Sequence, residues 1–159
     1  MSRSTGMSRS AGGDELHRLV EGRLRRVGQR YTSQRRALVD ALRGAGKPRS
    51  IPELLATSAV PQSSAYRNLT VLEHAGAVRR VATDEDHNHF ELAEVLTEHH
   101  HHLICRSCGR VDDVTLPTAV ERQVDRTLDR VARRAGFAEV AHRLDLIGTC
   151  AECASTFTA

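Results

Sequence analysis

The sequence predicts an α+β protein: a disordered tail over residues 1–13, a winged helix over 14–92, a linker over 93–98 and a small α+β unit over 99–159. Three observations predict it. Residues 14–82 carry 13 Lys/Arg against 6 Asp/Glu, whereas 83–159 carry 8 against 14, a reversal of sign that separates a polyanion-binding half from one suited to cations. Helical periodicity runs to Gly76 and then gives way to a period of two, the order of several short helices followed by a hairpin. All four cysteines fall in two Cys-x-x-Cys pairs within the acidic half.

The tail, MSRSTGMSRSAGG, repeats Met-Ser-Arg-Ser, so Met7 is an alternative start to Met1. Its Ser/Gly/Arg composition cannot build a core, although two arginines add weak phosphate contacts. Helices are predicted over 14–27, 32–45, 50–57 and 61–75, separated by short Gly-, Pro- and Ser-containing breaks. Thr32 caps the second, Ser50 and Glu53 form a capping box for the third, and Pro61 sits in the first turn of the fourth, where its missing N–H costs nothing. Strands over 77–82 and 88–92 follow, joined by a polar loop over 83–87. In the fourth helix Ala65, Leu69 and Leu72 share one face, which leaves Arg67, Thr70 and His74 opposite and Tyr66 at the edge. That outward face is short, polar and basic, as a helix entering a DNA major groove requires. An ordinary solvated bundle helix is the alternative, and the charge asymmetry argues against it.

In the second half, strands over 100–105 and 111–116 flank the first Cys-x-x-Cys turn. Pro117 opens a helix to about residue 135, with Val120, Val124, Leu128, Val131 and Ala135 at helical spacing, and Gly136 stops it. Residues 137–147 alternate as a strand that ends at Gly148 and the second Cys-x-x-Cys.

No apolar run approaches the roughly 20 residues of a membrane span and no signal-peptide stretch opens the chain, so a cytoplasmic protein with no membrane partner is expected. There, cysteines serve metals or redox chemistry more often than disulfides. Cys105, Cys108, Cys150 and Cys153, two chelating turns 41 residues apart, match a closed tetrahedral structural zinc site. A thioredoxin-type redox centre would need one such motif at a helix start, not two. His99, His100, His101 and His102 directly precede Cys105; on a strand, His99 and His101 project one way, His100 and His102 the other, so one run can feed two sites. A solvated low-complexity patch is the plain alternative. Glu91, His87, His89, Asp112, Asp113, Glu121 and His142 lie within plausible reach. Mixed His/carboxylate ligation suits Zn, Fe, Mn, Co or Ni alike. Enzyme chemistry fares worse. His89-Phe-Glu91 with Cys105-x-x-Cys108 lacks the Pro of the zinc deaminase signature, and there is no His-Glu-x-x-His helix or phosphate-binding Gly loop, so a zinc-dependent hydrolase is the weaker reading. A metal-storage role would leave the basic half unexplained.

Taken together, Gly28 to Arg36 (GQRYTSQRR), Ser64-Ala-Tyr-Arg-Asn-Leu69, Phe90-Glu-Leu92, His99 to Gly109 (HHHHLICRSCG) and the stretch from His142 to Cys153 resemble the ferric uptake regulator superfamily of bacterial metal-responsive repressors. The resemblance covers nearly the whole chain after the tail. It implies an N-terminal winged helix, a C-terminal dimerisation domain and a homodimer that binds palindromic double-stranded operator DNA when metal-loaded, controlling metal homeostasis genes. It also implies structural zinc at the four cysteines, dimerisation-domain metal ligands at His99, His101, Glu121 and His142, and interdomain sensing ligands at Glu91, His100, His102 and Asp113. Tyr66 and Arg67 match DNA contacts of the recognition helix, and Ser64, Thr70 and Arg30 join them as candidate contacts. Pro48-Arg49-Ser50 stands where many members have a His ligand, so either His87 or His89 replaces it or the site keeps fewer ligands. The regulatory metal is one of Zn, Fe, Mn or Ni. Peroxide sensing by an iron-loaded site, with oxidative-stress genes as targets, is the family's other established mode.

Overall fold

The computed structural model describes residues 12–82 and 88–156. The tail before residue 12, the 83–87 loop with His87 in it, and residues 157–159 lie outside the described residues.

Four helices form first: α1 (Gly13–Arg26), α2 (Ser33–Ala45), α3 (Ile51–Ser58) and α4 (Gln62–His74). Their ends follow local chemistry. Thr32 accepts a hydrogen bond from the Arg35 amide at the start of α2, and Gly46 ends that helix at φ 62°, a left-handed conformation that a glycine adopts without strain. Ser50 and Glu53 form the reciprocal capping box of α3, with the Ser50 amide donating to Glu53 Oε2 at 2.8 Å. Pro61 opens α4. The helices bury one continuous apolar cluster that includes Val20, Leu24, Leu38, Leu54, Leu69 and Leu72, closed beneath by Phe90.

β2 (Val78–Val81) and β3 (His89–Leu92) are the antiparallel wing, paired Arg79 to Glu91 and Val81 to His89. A two-residue strand, β1 (Arg49–Ser50), which the sequence reads only as a cap, pairs with β3 on its other side to give the order β1-β3-β2. Helices followed by this three-stranded sheet make a winged helix.

Within residues 93–98 a 3-10 turn (Glu94–Leu96) packs Leu96 against the apolar cluster. A second sheet follows, with β4 (His101–Cys105) between antiparallel β5 (Val111–Val114) and parallel β6 (Asp145–Gly148). The expectation of a strand over 137–147 is corrected: only its end, Asp145–Gly148, is strand. Glu139 turns left-handed at φ 53°, and the chain reaches a pairing partner only where Leu144 accepts from the His102 amide and Asp145 meets β4. A short helix, α6 (Ala151–Thr156), begins just after Cys150, carries Cys153, and has no period long enough to read in advance. Between β5 and β6 lies α5 (Thr118–Arg134). Its apolar stripe is present but uncovered in the single chain: Val120, Leu128 and Val131 are 44%, 41% and 59% exposed. The two sheets touch through a three-residue apolar cluster, Val81 of β2 with Ile104 and Val111, and through Lys47, which reaches Asp112 at 3.3 Å.

The helical core is the stability reservoir of the wing. Leu38→Ala, at a site with no exposure, should lower the unfolding free energy by about 2–5 kcal/mol. Urea denaturation followed by circular dichroism checks this, and a loss below about 1 kcal/mol would mean the cluster collapses around the gap.

Candidate metal centres and the recognition helix

The sulfur cluster is assembled by pairing. Cys105 ends β4 opposite Gly148 of parallel β6, so the residue two beyond that glycine, Cys150, comes beside it. The knuckle after β4 is fixed by the Gly109 amide donating to the Cys105 carbonyl at 2.9 Å and the Arg106 amide to Gly148 at 2.8 Å. Cys153 enters from α6. None of the four is in a disulfide, and their Sγ atoms lie within 4.8 Å of one another, with Cys108 and Cys150 at 3.9 Å. Zn–S bonds of about 2.3 Å give a tetrahedral edge of about 3.8 Å, whereas a disulfide would bring sulfurs to about 2.05 Å. Backbone N–H groups, the Cys150 amide foremost, hold the Cys105 thiol down to about 6, while the neighbouring sulfurs, that of Cys150 first, push Cys153 up to about 12. Four thiols in contact cannot all ionise without a cation among them. The donor set is suited to structural zinc.

The His run divides by strand alternation. His99 and His101 meet Glu121 of α5 and His142, with donor atoms within 4.8 Å. His99 Nε2 and His101 Nε2 each lie 3.0 Å from the Glu121 carboxylate, and His142 Nε2 lies 2.9 Å from it without hydrogen-bond alignment. On the far edges, Asp125 faces His142 Nδ1 at 3.2 Å and Glu94 takes His99 Nδ1.

His100 and His102 gather with Glu91 of β3 and Asp113 of β5. The register places Asp113 directly opposite His102 on one side and Asp145 on the other. Glu91 Oε2 is 3.0 Å from His100 Nε2 and 3.1 Å from His102 Nε2. The far edges are again taken, His100 Nδ1 by the Glu98 carbonyl and His102 Nδ1 by Asp145, both at 2.9 Å. Burial pushes the Glu91 carboxyl up, but hydrogen bonds from His102, His100 and Arg79 outweigh it and hold it at about 2. His102 is raised: burial opposes its charge, and the Glu91 and Asp145 bonds overcome that.

Three of these rings, His99, His100 and His102, therefore have an oxygen acceptor hydrogen-bonded at each nitrogen, and His142 has a carboxylate oxygen within 3.2 Å of each of its own. A neutral imidazole has one N–H, so with the outer edge donating, its inner lone pair confronts a carboxylate. A metal ion standing between them would satisfy both. Outer-edge acceptors of this kind orient metal-ligating histidines, and N···O separations near 3.0 Å match the roughly 3.0–3.4 Å edges of a coordination shell with bonds near 2.1 Å.

On α4 the structure leaves Tyr66 54% exposed, with Arg67, Thr70 and His74 also outward and Ser64 half-buried. The Thr70 hydroxyl donates back to the Tyr66 carbonyl at 3.0 Å. Arg30 is exposed at the start of the segment leading to α2. Behind this face Arg35 is buried, donating to Asn68 Oδ1 and to Gln29 Oε1, both at 3.1 Å, while Asn68 donates to Gln34 Oε1. This network fixes α4 on α2.

A model of the ferric uptake regulator family matches residues 26–147. The chain belongs to that family. The ferric uptake regulation protein of Legionella pneumophila is 36% identical over 91 residues, 57% of this chain and 62% of that protein, which is less than two thirds of the relative's length. That of Campylobacter jejuni is 30% identical over 138 residues, covering 82% and 83% of the two chains. The peroxide-responsive repressor PerR of Staphylococcus epidermidis is 26% identical over 135 residues, 82% and 85%. Among solved structures, the Helicobacter pylori ferric uptake regulator, described as having three functional metal binding sites, aligns with TM-score 0.70 over 93% of this chain and 97% of its own at 24% identity, a likeness of fold. These relatives are named as regulators and not as enzymes.

In this Fur-family chain His89 is buried on β3 and lines a cavity of about 350 Å³ with Lys47, Ser50, Glu53 and Cys108; it belongs to none of the three donor clusters. Sequence reasoning missed Arg79, Glu94, Asp125 and Asp145. Asp125 had a signal, four residues after Glu121 on the same helix face; the other three depend on pairing or on the turn before β4.

Cys105→Ser or Cys150→Ser breaks the tetrahedron. Because structural zinc contributes on the order of 10 kcal/mol, each variant should lose its tightly held zinc and the assembled, soluble state. Zinc content per chain and mass by light scattering check this. Unchanged values for both would remove the sulfur site.

Proposed function

We propose that this Fur-family protein is a metal-dependent transcriptional repressor that binds palindromic operator DNA as a homodimer and controls metal homeostasis genes. The observation that carries the reading is the bracketing of His99, His100, His102 and His142 by acceptors on both ring edges. Two divalent cations would satisfy the inner ring nitrogens and the Glu91 and Glu121 carboxylates that face them.

In this reading residues 14–92 are the DNA-binding domain, 93–98 the hinge and 99–159 the dimerisation domain. Zinc held by Cys105, Cys108, Cys150 and Cys153 braces the fold. His99, His101, Glu121 and His142 hold a metal inside the dimerisation domain. Glu91, His100, His102 and Asp113 hold the regulatory metal, and since Glu91 belongs to the wing while the others belong to β4, β5 and the turn before them, that metal fastens the two domains. Two recognition helices at a fixed separation suit two half-sites. Tyr66 and Arg67, with Ser64, Thr70 and Arg30 around them, meet DNA, and the positive N-terminal half supplies the salt-dependent attraction. The uncovered stripe of α5, together with Phe137 at 66% and Ile147 at 53% exposure, meets a second copy. Donors of this mixed kind accept Zn, Fe, Mn or Ni, and elemental analysis of protein purified without added metal identifies which.

Operator titrations with and without added metal test the clamp. Glu91→Ala and His102→Ala should lose the metal dependence of DNA binding, typically worth about 1–3 kcal/mol, while remaining zinc-loaded dimers, and Glu121→Ala should lose less. Wild-type metal response in both of the first two variants would sink the clamp. Similarity to PerR supports peroxide sensing as the second reading: hydrogen peroxide would then release the iron-loaded repressor from DNA and spare the manganese-loaded one.

Arg67→Ala should weaken operator binding by roughly 1–3 kcal/mol and leave the dimer intact. Fluorescence anisotropy over a salt series measures it. Wild-type affinity in the variant would move the reading face elsewhere.

A further inference from the structure

The cluster at the junction of the two sheets already contains a cation of the chain's own. Arg79 is the cross-strand partner of Glu91 in the wing. Its Nε donates to Glu91 Oε1, and its Nη2 lies 3.4 Å from His102 Nε2. With His102 Nδ1 donating to Asp145, its Nε2 is the atom that would offer a lone pair to a metal, and the Arg79 guanidinium lies against that same atom. The guanidinium cannot shed its charge, and the side chain is only 13% exposed. The cluster around Glu121 is built differently, its carboxylate meeting His99, His101 and His142.

We propose that Arg79 is an intrinsic competitor for the regulatory metal: it occupies two of the donor groups of the Glu91–His100–His102–Asp113 cluster and thereby sets the metal concentration at which that cluster fills. The inference rests on the reading of this cluster as a metal site. A divalent ion there must take His102 Nε2 from the Arg79 N–H, share Glu91 with it, and bear the repulsion of a fixed positive charge a few ångströms away in a poorly solvated place. The site around Glu121 carries no such handicap from its contacts, so it fills first and the clamp fills last. That order is what a threshold device needs, because the dimerisation domain is then metallated before the DNA-binding domains are fixed. Without a metal Arg79 also bridges from the wing to β4, so displacing it from His102 exchanges one link between the two sheets for another.

The test isolates the cluster in a Glu121→Ala background and titrates the full-length zinc-loaded protein with Co²⁺ against a chelator, read by visible absorption. Adding Arg79→Gln, which removes the charge, should tighten Co²⁺ binding by about tenfold or more. Arg79→Lys, which keeps the charge, should stay close to the parent, and so should Arg80→Ala, whose guanidinium serves Glu73 and the Phe90 ring instead. Equal or weaker Co²⁺ binding in Arg79→Gln overturns the proposal, as does Arg79→Lys binding as tightly as Arg79→Gln. Failure of the underlying reading looks different: Co²⁺ binding that survives His102→Ala in the same background unchanged means the cluster is not the metal site at all.

Discussion

The pairing of β4 between β5 and β6 is the constraint on which the three donor clusters depend. A strand presents alternate residues to opposite faces, so His101 falls on the side of α5 and His102 on the side of the wing, and His99 and His100, in the irregular segment just before β4, continue the alternation. The same register sets Asp113 and Asp145 on either flank of His102 and carries Cys105 to the position beside Gly148, from which Cys150 follows. A slip of one residue would exchange the two histidine sets and move the cysteine knuckle out of reach of its partner. Sulfur and imidazole sites therefore hold one another in place: closing the knuckle at one end of β4 fixes the register that the histidines require at the other.

What this register brings together is electrostatically incomplete as protein alone. Carboxylates in partly dry surroundings resist ionisation, yet Glu91 is held at about 2 because His102, His100 and Arg79 all donate to it. Around Glu121 the same role falls to His101, His99 and His142, which hold its carboxyl low. Each ring that donates inward must also satisfy an acceptor outward, at Glu94, Asp125, Asp145 or the Glu98 carbonyl. The acidic balance of the second half, which at first reads only as a contrast with the basic half, is thus spent on two concentric shells: one carboxylate or two at each centre and further acceptors behind the imidazoles.

The helical half was legible because its determinants are local. The apolar spacing of Ala65, Leu69 and Leu72, the Ser50–Glu53 box and the Thr32 cap each act within one turn, and the core they build is a direct reading of that period. Both Cys-x-x-Cys turns and the two-sided His run were legible for a similar reason: chelating spacing and strand alternation are local properties. Arg79 and Asp145 were not, since their roles come from cross-strand partners far away in sequence. β1 is two residues long and exists only because β3 offers it an edge. The overlong strand over 137–147 came from an alternation of apolar residues that no neighbouring strand supports, as Phe137 and Val140 remain exposed. Buried Asn68 escaped notice because its value lies in Arg35, thirty-three positions earlier.

The junction between the two sheets explains why so few charges can govern their relation. Its apolar content is Val81, Ile104 and Val111, each worth about 1.5–3 kcal/mol if fully buried, and holding the wing at one angle to β4 has an entropic cost of similar size. The Lys47–Asp112 pair, with both partners more than a third exposed, adds at most about 1 kcal/mol. In the proposed clamp a junction with so little apolar packing would be moved by whatever occupies the Glu91–His102 cluster, because that cluster is where a buried carboxylate of the wing meets imidazoles of the second sheet. Strength elsewhere would defeat the purpose: were the apolar contact several times larger, the wing would be fixed whatever stood between Glu91 and His102, and a ligand binding both arrangements equally well would shift neither. Weak packing at the junction thus stands beside dense ionic chemistry within it, and in the proposed clamp the two would act together, so that the position of α4 would be decided at the end of the wing and not in the helical core.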